Sequence, residues 1–260
     1  MTSVEGPTTQ DCTLRESAAQ AGDTMAALLE IAAALVYREP GGDLVDYLAG
    51  CGLFEGCGSA DAGTGLPGDD LLERGAARIA AALPDAPSCL PSLRREWLRL
   101  FAGVGEPQAP SWANFYLDPE SRVLGAQTLA VRKMYARYGL RLERVNGEPD
   151  DNLGLMLRFL AHLVRLGSRL SGGGSGGCLT AGSVRDDQVR MLRLHILPWI
   201  GAWHCAVEGR ASSDFYRGAG DFVMGVLVRY AASLGFVRDS ATGAFRLRRS
   251  AAAENVGAAS

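Results

Sequence analysis

Apolar residues recur at every third or fourth position along most of the chain, and runs of strict alternation are nearly absent. That period predicts helices rather than strands. Gly and Pro punctuate the pattern and divide it into segments. A helix is expected over 24–38, closed by Pro40, and a shorter one from Asp43 to about Phe54. After a Gly-rich loop at 55–68, further helices are expected at about 69–83, at 91–101 with Pro91 in its first turn, and at 127–138, stopped by Gly139. The clearest is 150–170, with Leu153, Met156, Leu157, Leu160, Leu163 and Val164 on one face and Asp151, Arg158, His162, Arg165 and Arg169 on the other. Helices at 183–196 and 198–209, interrupted at Pro198, and a last one at 213–235 complete the series.

The fold class that follows is all-α, a multi-helix bundle of more elements than a four-helix bundle needs. The run SGGGSGG at 171–177 reads as a flexible linker. The expected organisation is a flexible N-terminus (1–23), an N-terminal helical subdomain (24–170), a Gly-rich hinge (171–182), a C-terminal helical subdomain (183–237) and a loose Ala/Arg-rich tail (238–260).

Composition narrows the function. At 260 residues, net charge −3 and pI near 5.7, the chain has core enough to fold but no basic field for nucleic acid. Lys133 is the only lysine, so no Gly-Lys-Ser/Thr phosphate loop exists. The N-terminus has no basic, apolar or cleavage signature of export, and the apolar run 25–36 contains Glu30 and is too short to span a bilayer. A cytoplasmic protein without stable membrane insertion is expected. Cys12, Cys51, Cys57, Cys89, Cys178 and Cys205 form no CxxC pair, so reduced and mostly buried thiols are expected rather than disulfides or zinc.

Two stretches concentrate the remaining chemistry. EWLRLFAGVGEPQAPSWANFYLDPE (96–120) joins an aromatic helix end to a Gly/Pro loop that carries Trp112, Phe115 and Tyr116. GEPDDNLGLMLRFL (147–160) sets Glu148, Asp150 and Asp151 at the start of an apolar helix. Aromatics beside carboxylates suit a ligand that is apolar in one part and cationic in another. Each feature also has a plain structural reading. Acidic residues at a helix start satisfy free N–H groups and the dipole, worth ~0.3–1 kcal/mol each. Trp97 and Phe101, at i and i+4, have core packing as their default. His162 falls on a polar stripe, while His195 and His204 flank Trp199 and Trp203, where helix-interface histidines are the ordinary case.

These blocks resemble the TorD/DmsD family of cytoplasmic chaperones for molybdenum-cofactor oxidoreductases. Glu96, Trp97, Leu100 and Phe101 match its helix-end block; Pro110, Trp112, Tyr116, Leu117 and Asp118 its aromatic loop; Glu148, Pro149, Asp150 and Asp151 its acidic turn. His195 to Trp199 and Phe215 to Arg217 echo its C-terminal part. Asn114 stands where the family usually has Ser, and Asn152 where it usually has His. The resemblance implies a TorD-like helical fold and a chaperone that binds the twin-arginine leader and apo-subunit of its client, with no catalytic residue, metal or cofactor of its own. The leader-binding residues it implies are Trp97, Leu100, Phe101, Trp112, Tyr116, Glu148, Asp150, Asp151 and Asn152, in a monomer or homodimer.

Within that class a nitrate-reductase-like client is the alternative to a dimethyl sulfoxide or trimethylamine N-oxide reductase. An enzyme reading, a helical-bundle metal site, lacks the Glu-x-x-His pairs such a site uses. A nucleophile elbow is not expected either, since the Gly-x-Ser-x-Gly string inside SGGGSGG lacks the strand–turn–helix context such a site requires. An adaptor or transcription regulator lacks a basic recognition helix.

Overall fold

The computed structural model describes residues 9–50, 65–103, 105–118, 125–141, 148–174 and 177–248, with side chains from 20 onward. Two units divide the chain. The first takes residues 1–38 and 111–191, the second 39–110 and 192–260. Both are helical, as the apolar period requires. The units part at 38/39, 110/111 and 191/192, not at the expected boundary of 171–182. The glycine run instead lies between two helices of the first unit that pack on each other.

In the first unit, α1 (Thr9–Tyr37) packs along α7 (Leu153–Ser171), and α7 packs on α8 (Ala181–Met191). Two shorter helices, α5 (Ala113–Leu117) and α6 (Ala126–Arg137), lie in the same unit. The expected apolar face of α7 is buried throughout, and Leu155, Phe159 and Ala161 are buried with it. Only its later turns keep the polar stripe, where Arg165 pairs with Glu30 of α1 at 2.8 Å. Arg137 and Tyr138 both bond Asp187 of α8, at 2.7 Å each.

In the second unit, α3 (Asp69–Ala82) lies against α10 (Asp214–Ser233) at backbone distance. A Cβ on Gly75 would sit 2.3 Å from the Phe222 nitrogen, and one on Gly225 would sit 2.5 Å from the Leu72 nitrogen. Only glycine permits that approach. Around this pair stand α2 (Gly42–Gly50), α4 (Ala86–Trp97) and α9 (Ile200–Arg210), with a single π-helical turn after α4 (Leu98–Ala102) and another before α9 (Leu192–Ile196). Trp199, Trp203, Phe215, Tyr216 and Phe222 are the large side chains of this core.

Several expectations are corrected. The N-terminus expected to be flexible over 1–23 is helical from Thr9, because nothing between there and Gly22 breaks a helix; residues 1–8 lie outside the described residues. Helix α4 begins at Ala86, so Pro87 is its first-turn proline and Pro91 lies inside it. The tail expected to be loose from 238 forms a hairpin, β1 (Phe236–Arg238) with β2 (Phe245–Leu247). Its turn is closed by the Asp239 carboxylate, which accepts from the Ala241 and Thr242 nitrogens at 3.0 and 2.8 Å. The three thiols whose surroundings are described, Cys89, Cys178 and Cys205, are exposed rather than buried, since each falls on the solvent side of its segment. Cys51, Cys57, residues 55–64 of the Gly-rich loop and 249–260 of the tail lie outside the described residues.

Candidate functional site

The aromatic loop and the acidic turn meet inside the first unit. Trp112 and Asn152 form an antiparallel β-bridge. The Leu153 nitrogen donates to the Ser111 carbonyl at 2.6 Å, and the Ala113 nitrogen to the Asp151 carbonyl at 3.1 Å. An extended Trp112 and an extended Asn152, each the residue before a helix, therefore lie side by side. The two starts, of α5 and α7, are locked together by backbone hydrogen bonds.

Carboxylates complete the latch. Asp151, fully buried, accepts from the Asn114 nitrogen at 2.7 Å and from the Thr128 hydroxyl at 2.8 Å. Burial pushes its carboxyl above the usual range, while those two neutral hydrogen bonds work the other way. Asp150 accepts both the Nε and an Nη of Arg132, at 3.0 and 2.6 Å, and its carbonyl accepts the Tyr135 hydroxyl at 2.9 Å. Neither aspartate is therefore a free partner for an incoming guanidinium, and neither caps α7 as its position in the sequence allows. Asn152 is the cap, its side-chain oxygen accepting from the Gly154 nitrogen at 2.9 Å. The backbone turns at 150–151, which aims the two carboxylates away from the helix start.

Glu148 differs from its neighbours. It is half-buried and, among the described residues, takes one side-chain hydrogen bond, from the Asn152 amide at 3.2 Å. Burial raises its carboxyl above the usual range, and the amide offsets part of this. Asn152 thus holds the helix start with one end of its amide and Glu148 with the other. Beside this anion the aromatic loop is only partly covered. Trp112 and Tyr116 are half-buried, Phe115 is exposed, and the Phe115 and Tyr116 rings meet edge to face at 5.0 Å. Among the described residues the cluster offers one carboxylate without a cation and a partly exposed aromatic surface, and its one hydroxyl–carboxylate pair, Thr128 with Asp151, is fully buried.

The helix-end block goes elsewhere. Trp97, Leu100 and Phe101 belong to the second unit and are buried there, with 9%, 0% and 3% of their surface exposed. Phe101 stacks on Trp203 at 6.2 Å and meets Trp97 and Tyr216 edge to face. Their expected place in a ligand groove is corrected to core packing, because a π-helical turn at 98–102 rotates both Leu100 and Phe101 inward. Glu96 has a structural task in the same unit: its carboxylate accepts the Ser212 and Ser213 nitrogens at the start of α10.

Thr128, Arg132 and Tyr135 were not singled out by sequence, yet all three clasp the 150–151 turn. A signal existed, since their spacing of four and three sets them on one face of α6. Among the histidines, His195 is buried, His204 bonds Asp221 at 2.9 Å, and burial and then Arg169 and Arg165 lower the pKa of His162. Among the described residues no group of three His, Cys, Asp or Glu could hold a metal, and no helix is long and apolar enough to cross a membrane.

Residues 69–204 match the family described as the nitrate reductase delta subunit. The Tat proofreading chaperone DmsD of Salmonella paratyphi A is 27% identical over 143 residues, which cover 55% of this chain and 62% of that protein. The protein described as a probable Tat proofreading chaperone DmsD in Haemophilus influenzae is 29% identical over 126 residues, 48% of this chain and 54% of that one. The chain thus spans about three fifths of the Salmonella relative's length. A crystal structure of an Archaeoglobus fulgidus protein assigned to redox enzyme maturation shares 17% identity over 80% of this chain and 93% of its own, with a TM-score of 0.47. Matched over more than half its length, the chain belongs to the nitrate reductase delta subunit family, the TorD-like helical proteins that its sequence blocks resemble.

Proposed function

We propose that the protein is a maturation chaperone that binds the twin-arginine leader and apo-subunit of a molybdenum-cofactor oxidoreductase in the cytoplasm and delays export until the client is complete. No bond is made or broken in this role. The single observation that carries it is the Trp112–Asn152 bridge, which sets a partly exposed aromatic surface beside Glu148, a carboxylate that meets no cation among the described residues. The names of the two curated relatives, both chaperones, support the same reading. The leader's apolar stretch lies on Trp112, Phe115 and Tyr116, and one arginine of its pair reaches Glu148. Asp150, Asp151 and Asn152 hold that surface in shape.

Magnitudes rank the two halves. Burying one leader Leu or Phe gains roughly 1.5–3 kcal/mol. A part-exposed carboxylate–arginine pair gains about 0–1 kcal/mol. The aromatics set affinity and Glu148 sets preference for arginine. Calorimetry with a synthetic twin-arginine leader tests this: Trp112→Ala is expected to weaken binding more than Glu148→Gln, and the reverse order, or no binding to the unaltered protein, overturns the reading. A nitrate-reductase-type client is the second reading, favoured by the family description. Leaders of both client types in the same titration separate them.

A further inference from the structure

The hairpin after α10 takes no part in the site above. In it Phe236 faces Leu247, Val237 faces Arg246 and Arg238 faces Phe245. The Arg248 nitrogen donates to the Gly235 carbonyl at 2.9 Å and the Asp239 nitrogen to the Ala244 carbonyl at 2.8 Å. In an antiparallel ladder alternate residues turn their N–H and C=O toward the partner strand. Residues 244, 246 and 248 thus point theirs at β1, and Phe245 and Leu247 point theirs at the opposite edge. Among the described residues the sheet has two strands, so β2 has no strand on that edge there, and α10 packs on β1.

The side chains give this edge a sign. Val237, Arg246 and Arg248 share one face, all three exposed, and Leu247 on the other face is 41% exposed. Residues 236–248 hold three arginines (Arg238, Arg246 and Arg248) and one acid, Asp239, a local charge of 3 − 1 = +2 in a chain of net −3. The Asp239 carboxylate is engaged in its own turn by Ala241 and Thr242. Among the described residues no salt bridge neutralises the three arginines. Like charges facing each other across an edge repel, so a second copy of this strand is a poor partner. A strand carrying carboxylates at every second residue is a good one.

We propose that the open edge of β2 docks an extended acidic segment of a partner protein, which adds to the hairpin as a third strand. Its backbone pairs with Phe245 and Leu247, its carboxylates meet Arg246 and Arg248 on one face, and its intervening apolar residues lie beside Leu247 on the other. This surface is separate from the proposed leader site and stands or falls without it.

The test is fluorescence anisotropy of the full chain with a labelled peptide of alternating glutamate and valine. Saturable binding is expected. Reversing charge in Arg246→Glu/Arg248→Glu is expected to weaken it by about tenfold or more, and Arg246→Gln/Arg248→Gln by less, with unchanged melting curves. N-methylation of the peptide's alternate amides is expected to abolish binding, because it removes the strand-pairing donors. Equal binding of the methylated peptide, equal binding by the charge-reversed variant, or no binding at all overturns the proposal. Phosphatidylglycerol vesicles provide a second arm: retention on vesicles without peptide binding assigns the patch to a membrane surface and overturns strand addition.

Discussion

Two buried aspartates, one in each unit, show what a partner does to a carboxylate. Asp151 and Asp221 are both fully buried. In the second unit Asp221 is held by two arginines and a histidine: Arg74 bonds it through two nitrogens at 2.7 and 2.8 Å, Arg78 at 2.9 Å and His204 at 2.9 Å. Burial alone would raise its pKa, but the hydrogen bonds from Arg74 and His204 and their charges win and hold it well below the usual range. In the first unit Asp151 is met by backbone N–H groups and a hydroxyl, and burial wins. The same residue type, buried alike, is a charged clamp between α3, α9 and α10 in one unit and an under-compensated anion in the other. Around Asp221 the second unit commits Arg74 and Arg78 to scaffolding. In the first, Glu148 meets an amide and, among the described residues, no cation, which is where a cationic ligand gains most.

The sharpest way to break this comparison is to remove the clamp. Asp221→Ala leaves Arg74 and Arg78 facing each other without their anion. Because those side chains are 50% and 29% exposed, the full cost of an orphaned buried charge is discounted, and a loss of about 2–3 kcal/mol is expected in denaturant unfolding. Asp151→Ala comes next, at about 2 kcal/mol, since it strands two buried donors. Asp151→Asn keeps one oxygen for the Asn114 nitrogen and turns its amide NH2 to the Thr128 hydroxyl, which can rotate to accept, and is expected to stay within about 1 kcal/mol of the unaltered protein. A matching large loss for Asp151→Asn would show that its charge, not its hydrogen bonds, holds the turn.

Titration separates the two aspartates by sign. Asp221 has a depressed pKa, so its contribution is present above the unfolded value of 3.8 and is lost only as pH falls below it toward the folded value. Asp151 has a raised pKa, so the folded state binds its proton more tightly. Its ionised form costs stability at neutral pH, and that cost is relieved as pH falls through the folded value toward 3.8. Melting curves from pH 7 downward are expected to bring Asp151→Asn and the unaltered protein apart in the acid direction, the unaltered protein gaining, while the deficit of Asp221→Asn persists to the ordinary aspartate range. Parallel pH profiles for both variants would erase the distinction.

Smaller effects sharpen the ligand side. Arg132, 39% exposed at its side chain, already neutralises Asp150, so Arg132→Gln is expected to cost about 1 kcal/mol or less in stability and to tighten a twin-arginine peptide relative to a twin-lysine one. Weaker binding of both peptides would make Arg132 a support of the surface rather than a competitor for it. Glu148→Gln is expected to change stability by a few tenths of a kcal/mol at most, in the stabilising direction because a half-buried charge is removed, and to erase the arginine preference measured by calorimetry.

Helix α7 was legible because one strong period specifies both its existence and its buried face, and every residue assigned to that face is buried. Helix α3 was legible to within a residue, from Asp69 to Ala82. The hairpin was not, since three-residue strands carry too short an alternation to stand out from an Arg-rich tail. At the site, sequence brought Trp112, Tyr116 and 148–152 under suspicion together, and the β-bridge joins the two stretches. It also enrolled Trp97, Leu100 and Phe101, which the second unit buries. Aromatic residues at a helix end read alike whether they face a ligand or a core.

By itself, then, the order of apolar and polar residues determined a helical protein, the main helices and the two stretches worth attention, because helical period and Gly/Pro punctuation are local properties. Tertiary structure alone decided which carboxylate remains open. Asp150 and Asp151 are filled by Arg132, Thr128 and Asn114, 18 to 37 residues away in the chain, and among the described residues Glu148 is left with a single amide. The charge a side chain presents depends on what the fold brings against it, and no spacing along the sequence records that.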